Sequence, residues 1–168
     1  MKFDPESALH LLLEQALKNV TLDGYASFLA TFFVQFMPVA SLVVREFDTN
    51  HITQLAHYAV NKTVFSPPRV VTIPDALVYE LYLDPDCSGD KYKASILSSK
   101  DGTSRTRVFT MLHMAEETSI FFPLLVDDRF LHCFYIFISA IGKNKYTEEH
   151  LQICESLRIP LANAITVL

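Results

Sequence analysis

At 168 residues and a net charge of −5, with 50% hydrophobic and 20% charged residues, the chain suits one folded domain with a substantial core and is too apolar to be disordered. It holds no Lys/Arg block that would form the clustered basic face needed for phosphate contacts, so direct nucleic-acid binding is not expected. No apolar run is long enough to cross a bilayer, and acidic residues interrupt the opening Met1-Lys2-Phe3-Asp4-Pro5-Glu6 too early for a signal peptide.

Asp4-Pro5-Glu6 predicts a helix start, with a capping carboxylate, a proline in the first turn and an acid near the positive dipole end. Leu9, Leu12, Leu13, Ala16, Leu17 and Val20 follow at helical spacing. Thr21-Leu22-Asp23-Gly24 breaks this helix and begins a second. In it Tyr25, Phe28, Leu29, Phe32, Phe33, Phe36 and Met37 recur at steps of three and four, stopping before Pro38.

Beyond Pro38 the pattern becomes extended. Residues 40–47 predict a strand, Asp48-Thr49-Asn50 a turn, and residues 52–60 the hairpin partner. Val70 and Val71 fit a short strand, and residues 74–83 a short helix ended by Asp84-Pro85. Residues 84–104 are polar and rich in Ser, Asp and Lys, the profile of a long functional or mobile loop. Residues 105–114 read as a strand, with a helical turn as the alternative. Residues 119–126 and 130–141 form a strongly apolar hairpin around Asp127-Asp128-Arg129. Thr147 then caps a last helix with Glu148 and Glu149 in its first turn, and Leu151, Cys154, Leu157, Leu161, Ala164 and Ile165 make its apolar stripe. Pro160 is expected to kink it. The helix reaches Leu168 without a stop signal, as expected for the front module of a longer protein. The odd, widely spaced cysteines (Cys87, Cys133, Cys154) argue against a disulfide framework and fit a reducing, cytoplasmic setting.

The C-terminal half resembles the GAF family of regulatory domains. Ser119-Ile120-Phe121-Phe122-Pro123-Leu124 is similar to the family's strand ending in Pro-Leu, and Asp127-Asp128-Arg129-Phe130-Leu131 to the turn after it. Leu131 to Ile138 is similar to the next core strand. Tyr146-Thr147-Glu148-Glu149-His150-Leu151 is similar to the entry into the final helix, and Pro160-Leu161-Ala162-Asn163-Ala164-Ile165 to its end. Cys133 departs from the pattern, standing where many members have glycine. The resemblance implies a single α+β domain over 1–168, GAF-like and PAS-related. Its central antiparallel sheet would be flanked by N- and C-terminal helices on one side and by a short helix plus loops on the other. The helical layer is expected at 5–37, the sheet and pocket region at 40–141 and a signalling helix at 147–168.

What the resemblance implies for function is a cytoplasmic small-molecule-sensing regulatory domain. Its C-terminal helix would transmit ligand state to an output domain, with sigma-54-dependent transcriptional activators, which carry ATPase and DNA-binding modules, as the first choice of context. A homodimer through terminal helices is expected. The alternative is a GAF-like dimerisation or interaction module that has lost its ligand. A remoter one is the GAF-fold free methionine-sulfoxide reductase, which needs a loop thiolate with a resolving thiol nearby. Only Cys87 falls on a loop; Cys133 and Cys154 fall in apolar strand and helix, where buried thiols are ordinary.

No catalytic constellation, Gly-rich phosphate loop, HExxH or CxxC is present, so neither an enzyme nor a metal site is expected, and no cofactor is identified. Asp84-Pro85-Asp86-Cys87-Ser88-Gly89-Asp90 mimics the first half of a calcium loop, but Ser95 stands where the closing Glu belongs, so a flexible acidic turn is preferred. Asn144-Lys145-Tyr146 is similar to part of a cyclic-nucleotide motif whose Asp-Glu pair is replaced by His150-Leu151. On a strand, Arg105, Arg107, Phe109, Met111 and His113 would share one face suited to an anionic or aromatic ligand. An exposed basic edge is the plainer reading of those residues and is preferred. Tyr79 and Tyr82 on the short helix could line the same space. The pocket candidates are therefore Tyr79, Tyr82, Arg107, Phe109, Met111, His113 and Phe121.

Overall fold

The structure, a computed structural model, describes residues 2–19, 21–60, 69–79, 93–98, 107, 118–124, 132–140, 145–166 and 168. Helix α1 (Pro5–Lys18) opens after Asp4 with Pro5 and Glu6 in its first turn and closes on Lys18, charges placed to suit the helix dipole. Asp4 makes no backbone cap. Its carboxylate accepts the Ser7 hydroxyl at 2.5 Å instead. Ala8, Leu12 and Ala16, four apart, form the buried stripe of α1.

Thr21 caps α2 (Leu22–Phe33), its hydroxyl accepting the Gly24 N–H at 3.1 Å. The helix expected to reach Met37 ends at Phe33, whose carbonyl accepts both the Phe36 and Met37 N–H groups. The cause is Pro38, which disfavours helical geometry at the residue before it, so the last turn tightens.

The strands are β1 (Ser41–Asp48), β2 (His51–Ala59), β3 (Val70–Thr72), β4 (Ser95–Ser98), β5 (Thr118–Leu124) and β6 (His132–Ala140). They form one antiparallel sheet in the order β3-β2-β1-β6-β5-β4. Strand β4 lies inside the stretch expected to be loop; Ile96 and Leu97 give it enough apolar surface to pair with β5. Between β3 and β4 comes the short helix α3 (Asp75–Val78), and α4 (Glu148–Thr166) ends the fold.

Alternate residues of each strand point to opposite faces. One face carries Leu42 and Val44 of β1, Ile120, Phe122 and Leu124 of β5, and Ile136, Ile138 and Ala140 of β6. Against it pack α1, α2 and α4, through Leu12, Leu29, Phe33, Cys154, Leu157 and Leu161. Tyr25 is fully buried in this layer and donates its hydroxyl to the Leu12 carbonyl at 3.1 Å, which fastens α2 to α1. Tyr146 donates to the Pro38 carbonyl at 2.8 Å, so the residue that looked like part of a nucleotide motif anchors the approach to α4. At the helix entry, the Thr147 N–H donates to His150 Nδ1 at 3.0 Å, and α4 continues through Pro160 to Thr166. The opposite face carries a second, smaller cluster topped by Ile73, Leu77 and Val78, from α3 and its approach.

Candidate functional site

The smaller cluster marks the side of the sheet where a ligand site was expected. Its floor is built by β1 and β6, the two central strands, with β5 and β2 on either side. Val43 and Phe47 of β1, Phe121 of β5, and Tyr135 and Phe137 of β6 all point into it. The rings pack closely: Phe121 lies 4.8 Å from Tyr135 and 5.2 Å from Phe137, and Phe47 meets Tyr135 edge-on at 6.1 Å.

Arg45 stands among these rings. It pairs with Tyr135 in register, shares a face with Val43 and Phe47, and is 0% exposed. Its Cζ lies 4.7 Å from the centroid of the Phe137 ring, within reach of a cation–π attraction. Taking such a cation out of water costs several kcal/mol or more before partners offset it. Burial draws the Arg45 pKa down to about 9, which leaves it a cation at neutral pH.

A β-bulge decides what sits beside it. The β1–β2 register pairs Val44 with Ala56 but Arg45 with Gln54, leaving Leu55 as the extra residue. Ile52 and Gln54 therefore share the Arg45 face, while Ala56 turns to the helices and His57, opposite Val43, returns to the Arg45 face. Gln54 Oε1 is buried without a hydrogen-bond partner among the described residues. Half-buried His57 has its pKa lowered, first by burial and then by the Arg45 charge, with Asp23 opposing. At the other end of this face, the Ser119 and Ser139 hydroxyls share a hydrogen bond at 2.6 Å. The three buried polar residues among those described, Arg45, Ser119 and Ser139, thus all belong to the face away from the three long helices.

The expected pocket residues fare differently. Phe121 is buried on this face. Tyr79 follows α3 and is 51% exposed, because Leu77 and Val78 take the inward positions. Arg107 is exposed and helical, in keeping with the helical turn that the sequence leaves as the alternative there. Tyr82, Phe109, Met111 and His113 lie outside the described residues, as do Cys87, the acidic turn at 84–90 and the turn at 127–129. Cys154 is fully buried, with burial and then Glu155 pushing its thiol pKa far up. Among the described residues no three His, Cys, Asp or Glu gather as a metal site would require, and no helix is long and apolar enough to cross a membrane.

Sequence reasoning missed Arg45 and Gln54. The available signal was a cation between Val43 and Phe47 at alternate positions of an apolar strand.

No family model matches the sequence, and no curated protein matches it either. Solved structures do. The phycoerythrobilin-bound GAF domain of a cyanobacterial phytochrome superposes with a TM-score of 0.64 at 12% identity, covering 98% of this chain and 95% of that one. The chain has a GAF fold. The GAF domain of a phosphoenolpyruvate-protein phosphotransferase from Coxiella burnetii matches with a TM-score of 0.63 at 11% identity, over 97% of this chain and 93% of that one. A GAF domain from A. aeolicus in an inactive state gives 0.57 at 11% identity, over 97% and 96%. Within the GAF fold of this chain, the Ser119 to Leu124 segment is β5, most of Leu131 to Ile138 is β6, and the Tyr146 segment enters α4.

Proposed function

We propose that this GAF fold is a small-molecule-sensing regulatory domain whose ligand state leaves through α4 toward an output module. The observation that carries the reading is the concentration of buried polar side chains on the face away from the helical layer, with Arg45 among aromatic rings. Burying polar side chains is costly, so a face that only had to fill space would gain nothing from them. A GAF domain of similar structure holds a bilin, which supports small-molecule binding as a use of this architecture. A physical link to α4 also exists: the Ala94 N–H, at the entry to β4, donates to Glu155 Oε1 at 2.5 Å, and Glu155 is paired with Arg158 at 3.4 Å.

The finer parts of the proposal are a cytoplasmic, non-enzymatic module of the sigma-54-dependent activator type that dimerises through its terminal helices. Exposed Leu9, Leu13 and Leu17, four apart on α1, and Ile159 on α4 support the dimer. The test is thermal denaturation of the protein against a metabolite library. A true ligand at about a hundred times its Kd stabilises by about 2.7 kcal/mol and raises Tm. A library in which no chemical series moves Tm overturns the sensing role.

A second reading has its own support. Phe47, Phe121, Tyr135 and Phe137 pack on one another, as in a module that has filled its pocket and serves only in assembly. It requires a stable dimer without any small molecule; a monomer by analytical ultracentrifugation rejects it.

A further inference from the structure

On the helical side of the sheet, a cleft lies between the chain start, the turn after α2 and the first turns of α4. Its volume is about 620 Å³, inside the range of about 300–1,000 Å³ usual for small-molecule sites. Phe3, Phe36 and Ile153 make its apolar wall. The two rings meet edge-on at 5.3 Å, and both pack against the helical core. Glu149, Gln152, Ile153 and Ser156 come three or four apart, so one face of α4 lines the cleft.

The polar groups of the cleft are not used up within the protein. Gln35 Nε2 donates to the Thr31 carbonyl at 3.5 Å, which leaves the amide oxygen open, and the Gln152 side chain makes no hydrogen bond among the described residues. Ser156 donates to the Ile153 carbonyl at 2.7 Å and keeps its acceptor lone pairs. Lys2 and Glu149 bring opposite charges to the cleft, and neither is ion-paired among the described residues. An apolar wall, two side-chain amides, a cation and an anion together complement a short peptide with free ends. A single amino acid has no peptide bond for the amides to meet, and a simple acid has no cation for Glu149.

We propose that this cleft binds an apolar zwitterion of dipeptide size. Its ammonium end meets Glu149, its carboxylate meets Lys2, its peptide bond meets Gln35 and Gln152, and a side chain packs on Phe3 and Phe36. Lys2 and Glu149 are exposed, so each end contributes modestly and apolar burial supplies most of the affinity. The occupant touches the chain start, the turn after α2 and α4 at once, and so fastens the first turns of α4 to the helical layer. The cleft is away from the Arg45 face, so this site stands or falls separately from the sensing role above.

The test uses leucylphenylalanine, its N-acetyl form, its C-terminal amide and free leucine. Each is titrated at about pH 6.5, where an α-amino group is protonated, and followed by NMR through the side-chain amides of Gln35 and Gln152. Leucylphenylalanine is expected to bind saturably, each capped form about threefold more weakly, and leucine more weakly still. Glu149→Gln should abolish the difference between the free amine and its N-acetyl form. Lys2→Gln should abolish that between the free acid and its amide. Both positions are exposed, so both variants keep the fold. No saturable shift of the two amides overturns the site. Leucine binding as tightly as the dipeptide overturns the peptide class. A preference that survives its own variant overturns the assignment of the ends.

Discussion

The hydroxyls of Ser119 and Ser139 meet across β5 and β6 at 2.6 Å, and neither residue reaches solvent. Removing one leaves the other buried without its partner. Ser139→Ala should therefore cost about 1–3 kcal/mol, whereas Ser119→Ala with Ser139→Ala should cost less than the sum of the two single changes. Urea denaturation of the four proteins in the cycle measures the coupling; strict additivity would mean the pair contributes nothing.

Thr49 turns the β1–β2 hairpin with φ at 56°, a region that β-branched residues avoid. Glycine suits that position in two-residue hairpin turns. Thr49→Gly should raise stability by about 1 kcal/mol, the scale of strain at such sites, read as a higher urea midpoint with an unchanged slope.

Cys154 lies on the buried side of α4 with its thiol pKa pushed up by burial and by Glu155. A thiol held in that form does not attack disulfide reagents. Peptide mapping should find Cys154 unmodified in native protein and fully modified in guanidinium chloride. Rapid native labelling would contradict its position.

His57 has a pKa below its ordinary 6.5 in the folded chain. The unfolded chain then takes up the proton first, so acid favours unfolding. The stability that neutral His57 confers is present above pH 6.5 and is lost as pH falls from there through the lower folded value. His57→Gln should flatten that part of the stability-versus-pH curve relative to the parent, and an identical curve would rule the linkage out.

Glu155 accepts the Ala94 N–H, joining the entry of the edge strand β4 to α4. Glu155→Ala should speed hydrogen exchange at the Ala94 amide by about tenfold or more, whereas Glu155→Gln, which keeps an acceptor, should change it less. Exchange unaffected by either change would show that Ala94 is held by the sheet alone.

The helical layer was legible in the sequence because its signals are local. Thr21 caps α2 in the way its side chain predicts, and Leu12 and Ala16 fall on the buried face at the spacing a helix demands. The apolar runs of β5 and β6 were legible for the same reason. Strand β4 was not, since Ser95-Ile96-Leu97-Ser98 becomes a strand only by pairing with β5, more than twenty residues later in the chain. The site was the least legible part. Whether Arg45 is buried depends on β2 docking on one side of β1 and β6 on the other, and whether Gln54 faces it depends on a one-residue bulge. Alternation within one strand carries neither fact.

The sheet has unequal strands. Among the described residues, inner β1, β2, β5 and β6 run seven to nine residues, but the margins are β3 with three and β4 with four. Short margins offer a stray chain few backbone groups on which to extend the ladder, which guards against fibre-like stacking. Higher-order association is thereby steered from backbone pairing toward side-chain contacts on the helices.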